Sequence, residues 1–174
     1  LRRSSAASDV YKRQINIIKA ELKIDYLNKI GPDVLEISTK QSRIIIDKSK
    51  KSKSLIKDFI LNQKYMSGIG NIYANEILFA SRIHPETKVN ALSRNNWNDF
   101  FKNTKKIMQL AIKNNGTTLS DMTYFLPYGE FGSNQNFLKI YSKTNCFNCE
   151  HIIDKIYINQ RATYFCRKCQ KLKN

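Results

Sequence analysis

The chain has 174 residues, 41% of them hydrophobic and 25% charged, enough for one medium domain or two small ones. Thirty Lys and Arg stand against 14 Asp and Glu, a net charge of +16 that repels itself and favours polyanionic partners, nucleic acid first. No uncharged apolar run approaches the roughly 18 residues of a membrane span, so no membrane partner is expected.

The first fourteen residues, Leu1 to Gln14, are polar and rich in Ser, Ala and Arg. They resemble a translated cloning tail more than a natural disordered arm, and are set aside from fold reasoning. Residues 15–30 read as the remnant of a preceding domain or a linker, with Ile15–Ile18 as a weak strand. Gly31-Pro32-Asp33 is a turn, and Val34 to Lys40 is expected to form a short helix behind Pro32. Ser42 to Asp47 is ambiguous between strand and helix.

Ser54 is expected to cap a helix from Leu55 to about Gln63, with Leu55, Ile56, Phe59 and Ile60 at helical spacing. Gly68 and Gly70 then break the chain and permit positive φ. A second helix is expected over Ile72–Ile83, its face made by Ile72, Tyr73, Glu76, Ile77, Phe79 and Ala80, ended by His84-Pro85. Ser93 starts a third helix through Trp97, Phe100 and Ile107, closed by Gly116 at C′. A loop over 126–136 leads to an expected strand, Phe137–Tyr141, and then to a hairpin with strands near Ile152–Ile158 and Ala162–Phe165. The expected class is α+β: a helical domain over 31–125 followed by a small β unit over 137–174.

Four cysteines lie near the end of the chain as Cys146-x-x-Cys149 and Cys166-x-x-Cys169, with 16 residues between the pairs. Two knuckles of this kind close a tetrahedral Zn²⁺ site, and four sulfurs leave no open position, so one structural zinc is expected. A dithiol redox pair is the alternative, and a reduced intracellular compartment suits either. His151 is read as a surface residue. Arg161, near the hairpin turn, can fork onto phosphate oxygens or simply be solvated. Gly70-Asn71 opens a helix whose free amides suit phosphate, or forms an ordinary turn. Lys53 and Lys57, four apart, are expected on one helical face.

These patterns together resemble the formamidopyrimidine-DNA glycosylases over about Gly31 to Lys171. The matching stretches are Ile56–Gln63, Gly68–Phe79, Ile83-His84-Pro85, Asn115–Asp121 and Gln160–Gln170. The sibling endonuclease VIII type shares the plan, and Gly116-Thr117-Thr118-Leu119 favours the formamidopyrimidine type. The resemblance implies a helix–two-turns–helix domain and a zinc finger that grip damaged duplex DNA as a monomer in the bacterial cytoplasm, in base-excision repair of oxidised purines and abasic sites. It implies phosphate contacts by Lys53, Lys57, Gly70, Asn71 and Arg161, with Arg161 also taking part in δ-elimination, and Cys146, Cys149, Cys166 and Cys169 as zinc ligands.

Family enzymes flip the damaged base out and attack the sugar with an N-terminal proline amine. Only Pro32, Pro85 and Pro127 occur here, so the chain is expected to be a fragment that binds DNA without excising a base. Gly132 is followed by Ser133-Asn134 where the family has two aromatics, which leaves lesion preference open. The competing reading is a non-enzymatic zinc-ribbon adaptor for nucleic acid.

Overall fold

The structure is a computed structural model that describes residues 19, 21, 23–27, 29–118 and 131–172. The expectations for the tail, for Ile15–Ile18, for Leu119–Asp121 and for the start of the following loop lie outside the described residues. Five α-helices, two short 3-10 turns and one hairpin are described. They run α1 (Lys23–Leu27), α2 (Thr39–Lys50), α3 (Ile56–Leu61), α4 (Asn71–Ala80), a 3-10 turn (Val89–Ala91), α5 (Arg94–Lys113), a second 3-10 turn (Asn134–Phe137), β1 (Asp154–Ile158) and β2 (Arg161–Phe165). The class is α+β, as expected.

Helix starts follow side-chain chemistry where a cap is present. Ser93 accepts from the Asn96 amide while Asn96 accepts from the Ser93 amide, both at 3.2 Å, and α5 begins where the sequence places it. Ser38 and Gln41 form the same reciprocal box and start α2 at Thr39. The ambiguous Ser42–Asp47 is therefore helical, and the short helix expected over Val34–Lys40 is not formed. Asp33 accepts from the Leu35 amide at 2.9 Å, Ser67 donates to the Pro32 carbonyl, and Val34 donates to the Ser67 carbonyl. The segment is thus stitched to the two-turn element instead of coiling. Gly31 sits so close that a Cβ there would lie 2.6 Å from the Tyr65 carbonyl carbon.

Ser54 does not cap α3. Its hydroxyl pairs with Ser52 at 2.8 Å, and Leu55 stands at the N-cap without a side-chain bond. Backbone carbonyls from the connection after α4 do the capping: Ile56 N–H donates to Thr87 O at 2.9 Å and Lys57 N–H to Pro85 O at 3.4 Å. α4 stops at Ala80, three residues before the expected end. Arg82 takes a left-handed φ of 54°, and the Ile83 and Arg82 amides donate back to Leu78 and Phe79, a Schellman closure. α5 closes the same way with Asn115 at C′ (φ 56°), which moves Gly116 one place further, to C″.

The main core joins α2–α5. Trp97 and Phe100 are fully buried, and Trp97 meets Phe59 edge-on at 6.0 Å and stacks on Phe101 at 5.6 Å. Six consecutive residues of α4, Ala74 to Phe79, are buried. A helix covered all round must have partners on both sides. One side is the helical core through Ala74, Ile77 and Leu78. The other is the β unit, where Phe79 packs with Ile140, Ile153, Cys146 and Cys166.

The strand expected over Phe137–Tyr141 is absent. Its amides have another acceptor: Lys139, Ile140 and Tyr141 donate to the Glu76 carboxylate at 2.9, 3.0 and 2.8 Å. Glu76, expected within an apolar face, is instead a buried strut from α4. The hairpin pairs Asp154 with Phe165 through Ile158 with Arg161. Its turn residues Asn159 and Gln160 have φ of 46° and 60°, the signs of a type I′ turn.

Candidate nucleic-acid interface and metal centre

The connection between α3 and α4 is built around Gln63. Its side-chain oxygen accepts from the Gly68 amide at 3.0 Å, and its nitrogen donates to Ile69 O at 3.1 Å. Gly68 has φ of 100°, the left-handed value that calls for glycine. Gly70 does not: it is extended, with φ of −100° and ψ of 175°, and it is the N-cap of α4. What Gly70 supplies is access, since a Cβ placed there would meet nothing within 4 Å. No side chain caps α4, and its first helical bond is Ala74 N–H to Gly70 O at 2.9 Å. The amides at its exposed start therefore carry the positive end of the helix dipole.

Three of the expected contact residues converge beside that helix start. Asn71 donates through Nδ2 to the Ala162 carbonyl at 3.1 Å. Lys57 Nζ donates to the same carbonyl at 2.9 Å and to Thr163 Oγ1 at 2.5 Å. Arg161, one residue before that shared acceptor, is exposed at the head of β2. The hairpin is thus pinned so that its arginine stands next to the lysine and the open helix end.

Lys53 does not lie on α3. It is exposed on the segment before α3, outside any helix, so it and Lys57 do not share a helical face. Lys57 is fully buried rather than presented on a surface. Burial, reinforced by the nearby Arg161 guanidinium and opposed by Asp58, lowers its pKa from 10.5 to about 8. Asn71 Oδ1 is buried with no hydrogen-bond partner.

Behind the contact residues stand groups that sequence reasoning missed. Asn75 accepts from the Tyr164 amide at 2.7 Å and donates to Asn71 O at 2.6 Å, which fixes both hairpin and helix start. Gln170, completely buried, donates to Ile83 O at 2.8 Å and accepts from Cys166 N–H at 3.0 Å, tying the second knuckle to the end of α4. His84 packs edge-on to Phe165 at 4.4 Å. The available signal was polar side chains interrupting apolar stretches, at Asn75 and Glu76 above all.

The cysteines come together as the spacing implies. All four sulfurs lie within 4.8 Å of one another. Separations are 3.8 Å for Cys146–Cys169, 3.6 Å for Cys149–Cys166 and 3.5 Å for Cys149–Cys169. A tetrahedral metal with bonds of about 2.3 Å places its sulfurs ~3.8 Å apart, whereas a disulfide bond is about 2 Å. The donor set therefore fits one metal ion. Burial and the neighbouring sulfurs push the Cys169 thiol up to about 12, while the His151 amide draws Cys149 down to about 7. His151 itself is exposed.

Comparison with known proteins agrees with this geometry. The family model described as "Formamidopyrimidine-DNA glycosylase H2TH domain" matches residues 30–123, more than half the chain. A formamidopyrimidine-DNA glycosylase of Mycoplasma genitalium is 45% identical over 148 residues, covering 84% of this chain and 51% of that protein. One from Listeria innocua is 40% identical over 147 residues, covering 83% and 53%. Among solved structures, Lactococcus lactis Fpg in complex with abasic-site DNA superposes with a TM-score of 0.77 at 32% identity, covering 88% of this chain and 57% of that one. MutM (Fpg) of Thermus thermophilus gives 0.80 at 26%, covering 91% and 60%. The chain spans about half the length of the curated relatives it matches. From the two-turn element, the zinc-type knuckles and the match over residues 30–123, the chain belongs to the formamidopyrimidine-DNA glycosylase family.

Proposed function

We propose that these residues grip duplex DNA at a damaged nucleotide, as the DNA-binding part of a glycosylase and AP lyase acting on oxidised purines and abasic sites. The observation that carries the reading is the convergence of Lys57, Asn71 and Arg161 at the exposed start of α4. Gly70 lets a sugar-phosphate backbone approach the free amides there. The phosphates supply the anion that the helix end, Asn71 and Arg161 favour, with the buried Lys57 ammonium adding positive charge behind them. Asn71 can turn its amide from Ala162 toward a phosphate, which also releases its unpartnered oxygen. Lys53 adds a further phosphate contact. Arg161 holds the backbone beside the flipped nucleotide, where its charge stabilises the phosphate leaving in δ-elimination.

Cys146, Cys149, Cys166 and Cys169 hold one Zn²⁺, whose role is to fix the hairpin that carries Arg161. The four sulfurs leave no position for a substrate. Pro32, Pro85 and Pro127 are all internal, and Pro32 and Pro85 offer their carbonyls to neighbouring amides. Each of these three proline nitrogens is an acylated backbone nitrogen, so none of them is an amine nucleophile. Family membership does not favour the adaptor reading.

The test is binding of the zinc-loaded chain to a duplex bearing a tetrahydrofuran site and to its intact counterpart, at two salt concentrations. Each of Arg161→Ala and Asn71→Ala is expected to weaken binding to the abasic duplex by about tenfold, and Arg161→Ala to reduce the salt slope by about one. Binding indifferent to both substitutions overturns the assignment.

A further inference from the structure

We propose that the cavity between the C-terminal end of α4, the middle of α5 and the approach to the first knuckle binds a small amphipathic anion, a carboxylate or phosphate carried on an apolar body about the size of one aromatic side chain. The cavity holds about 310 Å³, at the lower end for small-ligand sites. Its floor is apolar, from Phe79, Ile107 and Leu138. Arg82, Lys106 and Lys139 stand around it, and all three are exposed.

Among the described residues, Glu76 is the acidic side chain that lines the cavity. Both oxygens of Glu76 are occupied by the three backbone amides of Lys139, Ile140 and Tyr141. Those donors offset part of its charge, and the three cations at the rim outnumber the one that remains. Lys139 lies 4.3 Å from the Phe147 ring centre, a contact that leaves its ammonium free to accept an anion on the other side. Arg82 is held at the rim by the left-handed turn that ends α4. An apolar floor with a cationic rim selects a ligand that is apolar at one end and anionic at the other.

The cavity is separate from the phosphate site. Phe79 is eight residues beyond Asn71 on the same helix, about 12 Å along its axis. Occupancy is therefore compatible with DNA binding, and the two can be tested apart.

N-acetyl-L-phenylalanine and its uncharged amide are the probes, read by amide chemical shifts of the zinc-loaded full chain. The acid is expected to shift Phe79, Ile107 and Leu138 saturably, and the amide to bind about fivefold more weakly. Arg82→Asn, chosen because asparagine tolerates a left-handed φ, combined with Lys106→Gln should bring the acid down to the level of the amide. Ala80→Trp, at an exposed position on the cavity wall, should abolish both. Shifts that do not saturate, equal binding of acid and amide, or binding that survives Ala80→Trp overturns the proposal. Loss of duplex affinity in the Arg82/Lys106 variant as large as that of Arg161→Ala also overturns it, because those cations then belong to the DNA track.

Discussion

The helical half and the β unit solve the same problem by different means. Among the described residues, the helical half buries fourteen apolar side chains in one cluster, with Trp97, Phe59 and Phe100 at its centre. Among the described residues, the β unit buries five in its own cluster, of which two are cysteines of the candidate metal centre and one, Phe79, belongs to α4. It compensates with polar struts: Glu76 to three amides, Asn75 to Tyr164, Gln170 to Ile83, and Lys57 to Ala162 and Thr163. A large apolar core tolerates surface change, whereas a strutted unit depends on a few groups that cannot be lost singly.

The sharpest way to break this comparison is to remove the metal. Cys166→Ser or chelation is expected to unfold the hairpin unit, on the order of 10 kcal/mol of metal-linked folding energy, while α2–α5 stay folded. Far-UV circular dichroism should keep most of its helical signal as hydrogen-exchange protection vanishes over 154–165. Simultaneous loss of the helices would mean that the helical half leans on the finger. The converse change, Trp97→Ala, empties the centre of the helical core and should cost about 3 to 5 kcal/mol in urea melts. A much smaller loss would show that the core is not the self-sufficient one.

Glu76→Gln comes next, replacing part of the acceptor capacity that serves Lys139, Ile140 and Tyr141. About 2 to 3 kcal/mol of destabilisation is expected, with faster exchange confined to those three amides. Exchange that accelerates evenly across the chain would deny Glu76 its role as a local strut.

The smallest effect is a pH dependence. Folding lowers the Lys57 pKa from 10.5 to about 8, chiefly by burial and then by Arg161. Between those values the unfolded chain holds a proton that the folded chain has released, so this group makes stability rise with pH from about 8 to 10.5. Below 8 the cost is fully present, up to about 2 kcal/mol after allowance for solvent screening. The difference between wild type and Lys57→Met in urea melts across that window should show the rise. A flat difference would place Lys57 in water. A phosphate at the site favours the charged lysine, so duplex binding near pH 9 should take up a proton.

Legibility followed the range of the forces involved. The knuckles were readable because ligand spacing is local, and α5 because Ser93 carries its own cap. The start of α3 was not, because Thr87 and Pro85 supply carbonyls from about thirty residues away. The early end of α4 turned on a left-handed arginine, a position where glycine or asparagine is the usual signal. Within the expected contact set, placement was not readable: Lys57 is buried against the hairpin, and Lys53 lies outside any helix.

By itself, the sequence determined the basic charge, the four sulfur donors, the caps at Ser93, the glycine break before α4 and the family likeness. Each of these rests on composition or on residues a few positions apart. Tertiary structure alone decided that α4 is covered on both sides and that Glu76 replaces a strand partner for residues 139–141. It also decided that Lys57 and Asn71 meet at one carbonyl on β2, roughly a hundred residues from the lysine. A buried polar group takes whichever partner the packed chain brings within about 3 Å, and sequence distance does not enter that choice.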